Sequence, residues 1–135
     1  MTEFTTEVRA VQRDERQAAA GLPAGSSGEE AFHDPAAWVG FIELDPGTAS
    51  GWHHHGDWDS YAYVLSGVLR WEFGSDGRHA VEVRAGGVGR MPARLVHRDV
   101  SAGDERLSIV LFRTGQGELT IDVPGPSRAG ASSTA

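Results

Sequence analysis

Residues 47–67 read GTASGWHHHGDWDSYAYVLSG and contain three consecutive histidines, His53, His54 and His55. Successive side chains of a β-strand point to opposite faces, so His53 and His55 share one face and His54 takes the other. Two imidazoles on one face can bind the same metal ion, and a third ligand has to come from elsewhere. Among the remaining histidines, His97 is the strongest candidate. Neutral imidazole suits Zn, Fe, Ni, Cu and Mn, so these ligands alone do not select the metal.

Short strand-like runs separated by turn residues extend on both sides of this stretch. They cover residues 38–44, 61–65, 68–73, 79–84, 106–113 and 118–123. Ser66 and Gly67 separate two of these runs, and they predict the tight turn of a hairpin. The 18 glycines of the chain favour many turns, and no helical period stands out. This pattern predicts an all-β sandwich or barrel.

The distribution of these runs divides the chain into three parts. Residues 1–35 are predicted to form an N-terminal arm that could contribute one edge strand at 5–11 and a loop at 21–30. Residues 36–123 are predicted to form the barrel. Residues 124–135 have no core-forming pattern, so they are predicted to be a disordered tail.

The composition excludes several classes of protein and of site. The 135-residue chain contains no cysteine, which excludes disulfides, thiolate metal ligands, iron–sulfur clusters and a cysteine nucleophile. All 12 basic residues are arginines, so no lysine is available for a Schiff base. A net charge of −7 argues against a nucleic-acid partner. We find neither a secretory signal nor an apolar run long enough for a membrane span, and we expect a cytoplasmic protein without membrane or nucleic-acid partners.

The histidine-containing stretch resembles the first signature motif of the cupin superfamily, G(X)5HXH(X)3–4E(X)6G. The corresponding positions here are Gly47, His53, His55, Ser60 and Gly67. Every spacing fits the motif. Serine, however, stands where the family usually has the glutamate ligand.

A second stretch, residues 86–101, reads GGVGRMPARLVHRDVS and resembles the second cupin motif, G(X)5PXG(X)2H(X)3N. Its proline and histidine positions are Pro92 and His97, while Arg94 replaces the second glycine and Ser101 the asparagine. Two motifs that agree in order and spacing are far more specific than a single HXH.

The resemblance implies an all-β, double-stranded β-helix barrel of the jelly-roll type, with a metal ion inside its mouth. The implied ligands are the three motif histidines. Because Ser60 takes the place of the glutamate, the site would keep three neutral ligands and up to three open positions. Alternatively, Asp57 or Asp59 in the loop before Ser60 could supply the missing carboxylate.

Three further residues are candidates for the pocket or for the surroundings of the metal. Trp58 lies in the metal loop and could line the pocket. Arg94 could hold a carboxylate or enolate substrate, although a solvated or ion-paired arginine is the more common case. Asp99 follows His97 by two residues, so it could share its face and orient a ligand histidine, or cap a turn.

The resemblance to cupins that have three histidines and no glutamate suggests that this chain is a metal-dependent enzyme acting on a small organic molecule. The expected activity is that of a non-haem Fe(II) dioxygenase, with one divalent metal per chain. Fe(II) is favoured, and Zn, Ni, Mn and Co are alternatives. Two other functions stay open, a non-redox Lewis-acid isomerase, lyase or cyclase, and a sensor that binds a metal-chelated ligand without turnover. We also expect a homodimer, because a small barrel leaves strand edges to cover.

Overall fold

The computed structural model describes residues 7–126 of the chain. Within this range the chain forms eleven β-strands and one short 3₁₀ helix, Arg13–Glu15. The strands are β1 Gln17–Ala18, β2 Ser27–Asp34, β3 Ala37–Leu44, β4 His53–His54, β5 Asp59–Ser66, β6 Val68–Phe73, β7 His79–Arg84, β8 Val88–Met91, β9 His97–Ser101, β10 Leu107–Thr114 and β11 Ile121–Asp122. No helix among the described residues has the length and apolarity to cross a membrane.

The strands form two antiparallel sheets that face each other. One sheet has the order β1-β2-β3-β10-β5-β8 and the other the order β11-β4-β9-β6-β7. From β4 onward most connections carry the chain from one sheet to the other, as in a jelly-roll. The predicted all-β, double-stranded β-helix is therefore the observed fold.

The core lies between the sheets and is formed largely by alternate residues of the longer strands. In β3, β5 and β10 every second side chain is buried, which is the burial period that a half-buried strand imposes. Full burial of one large apolar side chain contributes about 1.5–3 kcal/mol. The buried apolar residues of these three strands are Trp38, Ile42, Leu44, Ala62, Val64, Leu107, Ile109 and Leu111. Leu69, Trp71 and Val83 face them from the other sheet.

The N-terminal region is part of the first sheet. Strand β2 pairs with β3 from Ser27↔Glu43 to Asp34↔Ala37, so the boundary predicted at residue 36 falls inside a hairpin. The predicted loop at 21–30 ends early, because its last four residues begin β2. Residues 7–11 of the predicted edge strand are not in a strand, and residues 5 and 6 lie outside the described part. Most of the predicted disordered tail, residues 127–135, also lies outside it.

The hairpin predicted at Ser66 and Gly67 is wrong. Strands β5 and β6 follow each other directly in sequence, but they belong to different sheets and do not pair. Gly67 makes the sharp change of direction with a φ of 79°, a left-handed value that favours glycine. A Cβ at this position would lie 2.9 Å from the Cα of Leu107, so the turn packs closely against the start of β10.

Candidate metal centre

The three motif histidines meet inside the barrel. His53 on β4 and His97 on β9 are direct partners in the second sheet, and His55 follows β4 by one residue. Their imidazole centroids are 4.4 Å apart for His53 and His97, 4.9 Å for His53 and His55, and 5.1 Å for His55 and His97. None of the three is more than 5% exposed. They form a group in which one nitrogen of each ring lies within 4.8 Å of the others.

Backbone carbonyls orient all three rings in the same way. The Nδ1 atoms of His53, His55 and His97 lie 2.8, 2.7 and 2.8 Å from the carbonyl oxygens of Gly51, Leu119 and Leu95. A carbonyl can only accept a hydrogen bond, so each Nδ1 carries a proton, and in the neutral ring each Nε2 keeps its lone pair.

The resulting donor set fits a divalent metal ion. The Nε2 atom of His53 is buried and has no hydrogen-bond partner, which is costly for a polar atom unless a ligand satisfies it. Burial lowers the pKa of His97 to about 4, although the nearby Asp99 carboxylate opposes this effect. Burial also lowers the pKa of His55 strongly, and the positive charge of Arg113 adds to that lowering. Both rings are therefore neutral at pH 7, as metal ligation requires.

The serine at the glutamate position faces the same space. Ser60 on β5 is 2% exposed, and its Oγ atom has no hydrogen-bond partner. It lines a small interior cavity of about 20 Å³ together with His55, His97 and Asp99. This volume holds about one water molecule. The residue is thus positioned beside the histidines, but a neutral hydroxyl is a poor ligand for a divalent ion.

The two loop carboxylates point to the surface. The Asp59 side chain accepts hydrogen bonds from Arg90 at 3.1 Å and from the backbone N–H of Ala93 at 3.0 Å. The Asp57 carboxylate, 55% exposed, forms an ion pair with Arg94. Neither carboxylate belongs to the metal-binding group that the described residues form. The structure therefore does not bring the predicted alternative ligands to the histidines.

Two other predicted pocket residues also lie away from the interior cavity. The Arg94 side chain is 73% exposed in its ion pair with Asp57. Trp58 is 1% exposed and donates a hydrogen bond from Nε1 to the carbonyl of Gly117 at 3.1 Å. It is a member of the hydrophobic core, so its contribution is to hold the metal loop against the barrel.

Asp99 faces the metal side of the histidines. Its Oδ2 atom lies 3.7 Å from Nε2 of His53, and its Oδ1 atom lies 3.7 Å from Nε2 of His97. The Nε1–H of Trp71 donates to Oδ1 at 2.8 Å and fixes the carboxylate. Since the backbone holds the Nδ1 atoms, Asp99 does not orient a ligand ring through Nδ1. It instead presents a negative charge to the space that the Nε2 atoms share.

Arg113 is an interior residue that was not predicted from the sequence. Its side chain is 1% exposed on β10 and lines the same cavity as His55, Ser60 and Asp99. Burial lowers its pKa to about 10, so the guanidinium is still charged at pH 7. Strand parity could have predicted its inward position, because residues 107, 109 and 111 point inward and residue 113 lies on the same face of the strand.

A larger groove adjoins this centre. Its volume is about 800 Å³, and it lies between β7 and β8 at the open side of the barrel. Trp71 and Met91 line both the groove and the interior cavity, so these two side chains form the wall between them. Phe73, Val83 and Leu95 add apolar surface on the outer side.

Comparisons with known proteins agree with this architecture. No curated protein matches the chain in sequence. A single-residue variant of oxalate decarboxylase from Bacillus subtilis superposes with a TM-score of 0.64 at 22% identity, covering 75% of this chain and 29% of its own. KdgF from Halomonas sp. superposes with a TM-score of 0.63 at 21% identity, covering 82% and 96% of the two chains.

A third structure is an uncharacterized conserved protein with a double-stranded β-helix domain from Klebsiella pneumoniae. It superposes with a TM-score of 0.67 at 18% identity, covering 88% of this chain and all of its own. At these identities the likeness shows the fold, and this chain spans less than a third of the oxalate decarboxylase. The family model of the cupin domain matches residues 40–113, which is more than half of the chain and includes all three histidines. The chain belongs to the cupin family.

Proposed function

We propose that this cupin is a metal-dependent enzyme that acts on a small organic molecule, with a non-haem Fe(II) dioxygenase as the first candidate. The observation that carries the proposal is the convergence of three Nε2 lone pairs whose rings are fixed through Nδ1. Three protein ligands leave coordination positions open on any metal that prefers more than three. A purely structural zinc site is usually closed by four protein ligands.

The surroundings of the histidines support a reactive site. A bound divalent metal would supply Lewis acidity and, if it is Fe(II), a place for O2 next to the substrate. Asp99 lies 3.7 Å from two of the Nε2 atoms, so its carboxylate can accept a proton from a group held between them. The groove of about 800 Å³ behind Trp71 and Met91 has the volume and the apolar lining of a small-molecule site.

A second candidate is a non-redox Lewis-acid enzyme, such as a lyase, isomerase or cyclase, with Mn, Zn, Ni or Co. The specific observation in its favour is Asp99, because proton transfer by a carboxylate beside a metal suffices for such reactions without any oxidant. One fold neighbour is an oxalate decarboxylase, and the loss of carbon dioxide from a carboxylate consumes no external oxidant. The cytoplasmic location and a ligand sensor without turnover stay predictions of the sequence.

The experiment that tests the proposal begins with metal analysis of protein purified without a histidine tag. Oxygen uptake is then measured with Fe(II)-loaded protein and panels of small carboxylic acids and 1,3-diketones. A His53→Ala variant, which loses one ligand, is the matched control for metal-independent turnover. Uptake that depends on His53 and on Fe(II) supports the dioxygenase.

Two other outcomes separate the remaining candidates. Product formation without oxygen uptake, supported by Mn or Zn, favours the Lewis-acid enzyme. Nitric oxide should bind the iron-loaded protein if open positions exist, and absence of the ferrous nitrosyl signal contradicts the dioxygenase. A wild-type protein that binds no divalent metal overturns both enzyme candidates.

A further inference from the structure

We propose that Arg113, with Ser60 beside it, binds an anionic group of the substrate, so that this cupin takes a small carboxylate. This inference rests on the proposed function, because it names the substrate class of the same centre. The anionic group would occupy the interior cavity next to the space that the three Nε2 atoms share.

The guanidinium of Arg113 has few partners for a buried cation. It has five N–H donors. Nη1 donates to the carbonyl of Leu119 at 3.0 Å, whereas Nε is buried without a hydrogen-bond partner. Among residues 7–126, no carboxylate lies within 4.0 Å of its nitrogens. Burial lowers the pKa of Arg113, and the Asp99 carboxylate in the same cavity acts on the guanidinium only through space and opposes that lowering. A buried charge is normally paired by direct hydrogen bonds, so the guanidinium can still accept a carboxylate from outside.

The register of the first sheet puts this cation beside the altered cupin position. Arg113 on β10 is the direct partner of Ser60 on β5, and both side chains are buried. Most cupins would have a glutamate at position 60, whose negative charge would neutralise a neighbouring guanidinium. Here the carboxylate is absent and the Oγ–H of Ser60 has no partner, so it can donate to the same anion as Arg113.

The charges inside the barrel also favour an anion. A divalent metal, if bound, and Arg113 would together carry three positive charges, and Asp99 supplies one negative charge in the same cavity. The three histidines contribute none when they are neutral. An incoming carboxylate therefore reduces the excess of positive charge in the cavity, and it accepts charge-assisted hydrogen bonds from the guanidinium.

The contacts that Arg113 does make leave its remaining donors free. Its guanidinium lies 5.1 Å from the centre of the Trp38 ring, and Nη1 is used by Leu119. These two contacts fix where the side chain lies. The cavity of about 20 Å³ has room for about one water molecule, so one carboxylate oxygen would enter it beside Arg113 while the rest of the substrate stays outside. A one-carbon carboxylate is the smallest probe with the proposed chemistry.

The test is a titration of Co(II)-loaded protein with formate and, separately, with formamide, which is a neutral molecule of the same shape. Binding is followed by the visible spectrum of the cobalt and by thermal denaturation. We expect wild type to prefer formate. Arg113→Gln should weaken formate binding by about tenfold or more, the usual effect of losing a hydrogen bond to a charged group. Ser60→Ala should weaken it less.

Controls separate this inference from the proposed function and from misfolding. Arg94→Gln removes an exposed arginine outside the cavity and should leave formate binding unchanged. Arg113→Lys keeps the charge, should fold if Arg113→Gln does not, and should retain part of the affinity. Equal binding of formate and formamide by wild type, or an undiminished formate affinity in both Arg113 variants, overturns the inference.

Failure of metal binding can be distinguished from failure of the anion site. If wild type takes up no Co(II), the proposed function fails, and thermal denaturation of the metal-free protein with formate still reports on Arg113. A formate-induced rise in Tm that Arg113→Gln abolishes would then support the anion site alone. No such rise would contradict it.

Discussion

Acid should destabilise the metal-free protein through its buried histidines. His97 has a pKa of about 4 in the fold, against an ordinary value of 6.5. Between these two values the unfolded chain binds a proton that the folded protein does not, so protonation favours unfolding as the pH falls. The stability associated with neutral His97 is complete above pH 6.5 and declines towards pH 4. The lowered pKa of His55 acts in the same direction.

The magnitude follows from the difference between the two pKa values of His97. One pKa unit corresponds to about 1.36 kcal/mol. Lowering the pH from 7 to about 4.5 therefore costs about 2.5 kcal/mol from His97 alone. A typical domain has a free energy of unfolding of about 5–15 kcal/mol, so this loss is a large share of the total. Bound metal should oppose the loss, because it stabilises only the folded, deprotonated histidines.

Urea denaturation followed by tryptophan fluorescence measures this effect in the presence of a chelator. Wild type is compared at pH 7 and at about pH 4.5 with His97→Asn, which cannot titrate at that position. We expect the pH-dependent loss to be about 2.5 kcal/mol smaller in the variant. His33→Gln, a change at a half-exposed histidine, is the control and should behave as wild type. An equal pH-dependent loss in wild type and His97→Asn would refute the reasoning.

Four further outcomes are expected. One metal should bind per chain through His53, His55 and His97. Metal analysis should show that alanine at any one of these positions abolishes or strongly weakens metal binding, whereas His54→Ala retains it. Chelation should leave the β-type circular dichroism largely intact, since the core does not include the metal, and coupled unfolding would indicate a structural ion. Ser60→Glu should tighten Co(II) binding and weaken formate binding, with Ser60→Gln as the uncharged control. Light scattering should give a dimer, and a mass of 14.4 kDa would contradict it.

Local pattern was enough to predict most strands and all three histidines of the centre. The run at 38–44 became β3, and the run at 106–113 became β10, each within one residue. Their alternating burial is a local property of strands, so it is visible in sequence. The HXH spacing is equally local. His53 in β4 and His55 directly after it are buried while His54 is half-buried, as strand parity predicts.

Features that depend on which strands pair were not predictable in this way. The hairpin prediction at Ser66 and Gly67 is wrong because turn residues indicate a change of chain direction. They do not indicate which sheet the next strand joins. Strand β9 was not expected, since residues 97–101 lack a run of apolar residues. Its position is set instead by pairing with β6 on one side and by the His53↔His97 pair on the other.

For the charged residues near the histidines, too, closeness in sequence does not predict closeness in the fold. Asp57 and Asp59 are close to the histidines in sequence, yet arginines on the surface bind both carboxylates. Asp99 is close to His97 and shares its inward face, so it was a candidate, but its approach to His53 depends on the pairing of β4 with β9. Arg113 is 16 residues beyond His97, and its place beside the site depends on the pairing of β10 with β5, in which it is opposite Ser60.

These placements indicate how one substitution changes the chemistry of the whole centre. A glutamate at position 60 would give the metal its fourth ligand and would also neutralise Arg113 across the strand pair. Serine does neither, so the negative charge facing the metal space comes from Asp99 on β9, held by Trp71. The guanidinium on β10 then has no carboxylate within 4.0 Å among residues 7–126. The missing fourth ligand and the guanidinium without a direct carboxylate contact thus both follow from the serine at position 60.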